Sequence, residues 1–158
     1  MIPSSTISQS LVVEQKSLLP SLDVAGHLIR RLNQQSTLLF AQRTQAAGFD
    51  LTPVQYAALE AIHEHPGSDQ AFISETIGYD RATIGGVIER LENKAWVKRV
   101  VSESDRRSRE LSLTAKGQKV RAALQPIVRD LQKDILQPLS AEEQEEFIRL
   151  ARKVVRAD

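Results

Sequence analysis

Apolar residues recur at two different periods along this chain, and the change of period divides it. From Leu22 to about Ala46, the positions Leu28, Ile29, Leu32, Leu39 and Phe40 fall near the 3.6-residue helical repeat, and Gly48 supplies a stop. Thr52-Pro53-Val54-Gln55 is a capping box with Pro at the first helical position, and Leu51 and Tyr56 are placed for a hydrophobic staple across it. The helix it opens is predicted to run to about Glu64 and to end at Pro66-Gly67. A short helix is predicted from Asp69 to Ile77, closed by Gly78, and Asp80 caps another from Arg81 to about Lys94. After Ala95 the repeat shortens. Val97-Lys98-Arg99-Val100-Val101 is β-branched and basic, Glu110 to Leu113 alternates polar and apolar, and the polar stretch between them reads as the tip of a β-hairpin. Thr114 then caps a long helix reaching about Gln137, with a kink expected at Pro126. Ser140-Ala141-Glu142-Glu143 is a second capping box, and the helix it opens has Phe147, Ile148, Ala151, Val154 and Val155 on its apolar face. Residues 1–21 read as a flexible tail, with Ser and Thr clustered from Ser4 to Ser10 and a helix-breaking Pro20.

Three tandem helices followed by a hairpin is the order of a winged helix-turn-helix, in which the third helix lies in the DNA major groove. The predicted fold is mainly α with a small β-hairpin wing. A DNA-binding lobe is expected at 49–117, and the helices at 22–48 and 118–158 have apolar faces outside it that need a partner, as dimerisation helices would. In the third helix Ile84, Ile88 and Leu91, with Val87 beside them, form one apolar stripe, while Arg81, Thr83, Gly85, Gly86, Arg90 and Asn93 lie on the other faces. Adjacent glycines inside a helix each cost about 1 kcal/mol against Ala, which suits a backbone that must approach another surface, either DNA or a neighbouring helix. Asp80 reads as an N-cap; its charge disfavours a phosphate contact.

Composition changes this picture only when it is divided by segment. The 158 residues suit one domain with an appended element, and the apolar share of 41% is that of a globular chain. Aromatic residues are only 4%, so the core is expected to be aliphatic. The net charge of +1 argues against a bulk polyanion binder. Yet Arg90 to Arg109 holds seven Lys or Arg and three acids, a local +4, whereas Asp50 to Asp80 holds six acids and no Lys or Arg, a local −6. Within the basic stretch, Arg106, Arg107 and Arg109 surround a tip suited to phosphates or to the minor groove. A basic run alone would read as a solvated hairpin; its place directly after a helix-turn-helix favours DNA. Cysteine is absent, which excludes disulfide scaffolds, Cys-ligated metals and thiol chemistry. No apolar run approaches the ~20 residues of a membrane span, and a cytoplasmic protein without cofactor is expected.

At the residue level a resemblance becomes specific. Asp80-Arg-Ala-Thr-Ile-Gly-Gly-Val-Ile-Glu-Arg-Leu91, Trp96-Val97, Asp105-Arg106-Arg107-Ser108-Arg109, Leu113-Thr114-Ala-Lys-Gly117 and Leu51-Thr52-Pro53-Val54-Gln55-Tyr56 together resemble the MarR family of bacterial winged-helix regulators. The similarity spans about residues 22–155. One departure is Ala95, where the family usually has Gly before the wing strand; a positive φ there would strain Ala by about 1 kcal/mol or more. The resemblance implies a homodimer that binds a pseudo-palindromic double-stranded operator, with half-sites ~34–36 Å apart. It also implies a small anionic or phenolic effector bound between the dimer helices and the DNA-binding lobe. Leu28-Ile29-Arg30-Arg31 and the stretch from Thr52 to Leu59 resemble the branch tied to aromatic-acid catabolism, whose effectors include hydroxybenzoates, hydroxycinnamates or their thioesters, and hydroxylated pyridine carboxylates.

His27, Arg30, Arg31 and Tyr56 are the candidates for holding such an effector; the alternative for the first three is a surface His and interhelical salt bridges. His63 and His65 are two apart and share no helix face, so a helix-end pair is favoured over a metal site. Two other functions compete with DNA binding. A winged-helix protein–protein module would use the acidic 50–80 surface. An enzyme is the weakest reading, because the chain offers no Cys, no metal cluster and no evident pair of catalytic carboxylates.

Overall fold

The computed structural model describes residues 22–101 and 109–155. The tail expected at 1–21 and the hairpin tip, with Arg106 and Arg107, lie outside the described residues. Six helices and two strands follow in the order α1 (Ala25–Ala46), α2 (Pro53–Glu64), α3 (Gln70–Ile77), α4 (Arg81–Asn93), β1 (Val97–Val101), β2 (Arg109–Leu113), α5 (Ala115–Ile135) and α6 (Ala141–Val155). The backbone groups into two units, 1–34 and 35–158.

The predicted caps set the helix boundaries of the second unit. Thr52 accepts the Gln55 N–H while Gln55 Oε1 accepts the Thr52 N–H, a complete capping box. Asp69, read from the sequence as a first helical residue, is instead the N-cap of α3 and accepts the Phe72 N–H at 2.8 Å. Gly78 closes α3 with φ 70°, a left-handed conformation that side chains resist. Ser140 and Glu143 form the second box at the start of α6. α5 ends at Ile135, short of the expected Gln137, because Pro138 disfavours the helical region for the residue before it. The same helix runs without interruption through Pro126.

β1 and β2 pair antiparallel with Val97 opposite Leu113 and Val101 opposite Arg109. The α2–α3 loop adds two bonds to the other edge of β2: Gly67 N–H to Leu111 O, and Leu111 N–H to Ser68 O, both 2.9 Å. Around this frame lies an aliphatic core of Leu59, Ile62, Ile73, Ile84, Ile88, Leu91, Leu111 and Leu124, all at 0% exposure. It fixes α4 by one face only, so the opposite face is left for something else.

The joint between α4 and α5 is tight. Ala95 N–H bonds to Glu92 O at 2.8 Å and Trp96 N–H to Leu91 O at 2.9 Å, a Schellman ending with Ala95 at φ 56°. The strain anticipated from sequence is therefore real. The Trp96 carbonyl then accepts the Thr114 N–H at 3.0 Å, and Thr114 Oγ1 donates to Ala95 O at 2.7 Å. Lys116 Nζ donates to Lys94 O at 3.0 Å. Gly117 is required here, since a Cβ would lie 1.9 Å from the Trp96 carbonyl oxygen.

Candidate nucleic-acid interface

α4 presents its polar residues because its apolar ones are buried. Ile84, Ile88 and Leu91 are fully buried and Val87 nearly so, while Arg81, Thr83, Glu89, Arg90 and Asn93 are exposed. Arg81 and Arg90 have no carboxylate partner among the described residues. The two glycines are not equivalent. Gly85 faces α3, where an added Cβ would meet Gln70 Nε2 at 3.1 Å, and that amide donates to Arg81 O at 3.0 Å. Gly85 thus lies beside the Gln70 side chain of α3 and also borders the groove next to the wing. Gly86 has open space where its Cβ would stand.

Asp80 is the N-cap of α4, accepting the Thr83 N–H at 2.8 Å and the Thr83 hydroxyl at 2.5 Å. The Thr83 hydroxyl is the largest of the contacts that hold its carboxyl below the usual carboxylate range. Arg99 of β1 pairs with Glu92 of α4 at 3.1 Å, which couples the first wing strand to the helix and neutralises one wing cation. Arg109 opens β2 and is exposed. Between α4 and the wing lies an open groove bordered by Gln70, Gly85, Glu89, Glu92, Arg99 and Arg109. Lys94 stacks over Trp96 at 4.8 Å and bonds to the Asp50 carbonyl, so it belongs to the fold and is not a free cation.

The effector candidates fall into separate parts of the chain. In the first unit Arg30 donates to Gln34 Oε1 at 2.9 Å and approaches His27 Nδ1 at 3.4 Å; His27 is partly buried and Arg31 exposed. In the second unit Tyr56 is half-buried with its ring 6.2 Å from that of Phe40. Burial first, and the neighbouring Glu60 second, push the Tyr56 hydroxyl above its ordinary value of 10.0, so it stays protonated. Beside it lies a group that the sequence reading missed. Arg121 of α5 places Nε 3.2 Å from Glu60 Oε2, close enough for an ion pair but not aligned for a hydrogen bond. Glu60 Oε1 and His63 Nδ1 are buried with no hydrogen-bond partner among the described residues. Tyr56, Glu60 and His63 stand at i, i+4 and i+7, a polar stripe on α2 that the spacing could have revealed. No group of three or more potential metal ligands occurs among the described residues.

A trihelical unit whose third helix is capped, half-exposed and joined to an antiparallel hairpin defines a winged helix-turn-helix protein. The sequence profile of the MarR family matches residues 49–108. The transcriptional regulator HosA of Escherichia coli O157:H7 is 40% identical over 131 residues, covering 83% of this chain and 94% of that protein. The chain belongs to the MarR family, whose members among these relatives are transcriptional regulators and not enzymes. Among solved structures it is similar to the PcaV transcriptional regulator of Streptomyces coelicolor in complex with its natural ligand. That match has 36% identity and a TM-score of 0.78, over 85% of this chain and 94% of that one. It is also similar to Bordetella bronchiseptica BpsR, whose DNA binding is regulated by 6-hydroxynicotinic acid, at 26% identity and a TM-score of 0.80, over 87% and 96%. No described helix is long and apolar enough to cross a membrane.

Proposed function

We propose that this chain is a homodimeric cytoplasmic repressor that holds a pseudo-palindromic DNA operator and leaves it when a small aromatic acid or phenol binds. The observation that carries the reading is α4: its apolar stripe is buried, its Arg81, Thr83, Arg90 and Asn93 are exposed, and a basic hairpin follows at once. A helix so presented fits the ~12 Å major groove. Arg81, Thr83, Gly85, Gly86 and Arg90 are the helix contacts, with the glycines allowing the backbone to approach the DNA. Arg106, Arg107 and Arg109 contact phosphates or the minor groove from the wing. The lobe at 49–117 carries these contacts, and the helices at 22–48 and 118–158 carry dimerisation.

The 6-hydroxynicotinic acid named for BpsR supports an aromatic-acid effector, and the complex of PcaV with its natural ligand supports control by a small molecule. On this chain His27, Arg30 and Arg31 supply cationic or donor groups, and Tyr56 supplies a protonated phenol beside the Glu60–Arg121 pair. To act, the effector must bind the released spacing of the two lobes better than the DNA-bound one. Mobility shift on DNA from beside the protein's own gene tests the reading directly. Replacing Arg107 with Ala is expected to weaken that binding and to lower the slope of log affinity against log salt by roughly one charge. Unchanged affinity and slope would remove the wing from the interface, and failure to retard any DNA would favour a protein–protein module.

A further inference from the structure

The cap of α4 does more than end a helix. Asp80 Oδ1 takes the Thr83 N–H and Asp80 Oδ2 takes the Thr83 hydroxyl, so both oxygens of one carboxylate are turned on a single exposed residue. That carboxyl lies below its usual range, chiefly because of the hydroxyl, and so at neutral pH it accepts and the hydroxyl donates. A threonine hydroxyl has one hydrogen and two lone pairs. With the hydrogen committed to Asp80, Thr83 offers its surroundings only lone pairs and a methyl group. The usual competitor for a helical threonine, the carbonyl four residues back, belongs here to Tyr79 and already accepts from Ser74 Oγ at 2.5 Å.

In the major groove the donors are the amino groups of adenine and cytosine, whereas guanine and thymine present acceptors. An unconstrained threonine can pair with either kind. We propose that Asp80 and Thr83 form one polarised reader, in which the carboxylate fixes the hydroxyl as an acceptor and so selects adenine or cytosine over guanine or thymine at the base Thr83 faces in each half-site. The proposal rests on the reading that α4 enters the groove. Asp80 touches no base in it and is a positioning residue.

The test is selection from a duplex library with a randomised core, using the wild type, Thr83→Val and Asp80→Asn, with thermal melting to verify that each variant is folded. Val keeps the branched shape and leaves the N–H cap intact. Asn caps nearly as well as Asp, but its amide nitrogen donates to the hydroxyl and turns the threonine hydrogen outward. The wild type is expected to prefer adenine or cytosine at one position per half-site by roughly five- to tenfold. Thr83→Val flattens the preference at that position alone. Asp80→Asn shifts it toward guanine or thymine there, while raising affinity evenly for all sequences because an anion near phosphates is lost. The proposal is overturned if Thr83→Val changes no position, if the wild type prefers guanine or thymine at the position it changes, or if Asp80→Asn acts only evenly. A wild type that selects no sequence at all removes the regulator reading and this proposal with it. One that selects an operator without depending on Thr83 removes the reader alone.

Discussion

Ala95 shows how a single residue can be anticipated and still inform. Its substitution for the usual Gly suggested strain, and φ 56° places it in the left-handed region. The Schellman bonds on either side hold it there, since releasing them would free Leu91 and Glu92 carbonyls at the foot of α4. Ala95→Gly relieves the Cβ clash but adds chain entropy to the unfolded state, and the balance is expected to stabilise the protein by about 0.5–1 kcal/mol. Calorimetric unfolding of the two proteins checks this; an unchanged or lowered midpoint would mean that Ala95 is not strained. Other single residues were less legible. Asp80 was readable as a cap from position alone, yet its hold on the Thr83 hydroxyl was not, because a cap requires only the backbone N–H. Arg121 was hidden for a different reason: its partner Glu60 lies 61 positions away, and only the packing of α2 against α5 brings them together.

At the scale of elements, local chemistry carried the sequence reading far. Thr52, Asp80, Thr114 and Ser140 were read as caps and each begins a helix as expected, because a cap bonds within three residues and needs no tertiary contact. What sequence could not supply was which elements meet. The paired glycines of α4 show the difference: a Cβ on Gly85 would meet the Gln70 amide of α3 at 3.1 Å, whereas one on Gly86 meets nothing within 4 Å. Gly86→Ala is therefore expected to stabilise the fold by up to about 1 kcal/mol, as an ordinary helix substitution. Gly117→Ala should destabilise it by about 2–3 kcal/mol, because the added methyl meets a backbone carbonyl that cannot step aside. Urea titrations of both measure the contrast. Equal effects would show that the α4–α5 joint is loose. A Gly86→Ala protein that is more stable yet binds operator more weakly would locate the glycine's use at the DNA.

For the whole molecule, the near-neutral charge hides an acidic 50–80 stretch and a basic 90–109 stretch that largely offset each other, with a small basic excess over the rest of the chain, and a dimer would present the basic stretch twice. The dimer itself is legible in what the chain leaves uncovered. α6 has no buried residue, and Ile148, Leu150, Val154 and Val155 are 40%, 46%, 70% and 82% exposed. A helix with an apolar face of that size needs a partner surface. Ile148→Glu combined with Val154→Glu is expected to shift the protein from dimer to monomer in sedimentation analysis. Retention of the dimer would exclude this face from the association. The joint of Ala95, Trp96, Thr114, Lys116 and Gly117 then acquires a mechanical meaning. α5 is a helix about 30 Å long whose near end is pinned to the foot of α4, so the pin is a fulcrum. A tilt of about 2° there carries the far end roughly 1 Å, and the converse also holds. Force applied to α5 near the pin reaches α4 as torque, because only the hydrogen-bonded turn at Lys94, Ala95 and Trp96 stands between them.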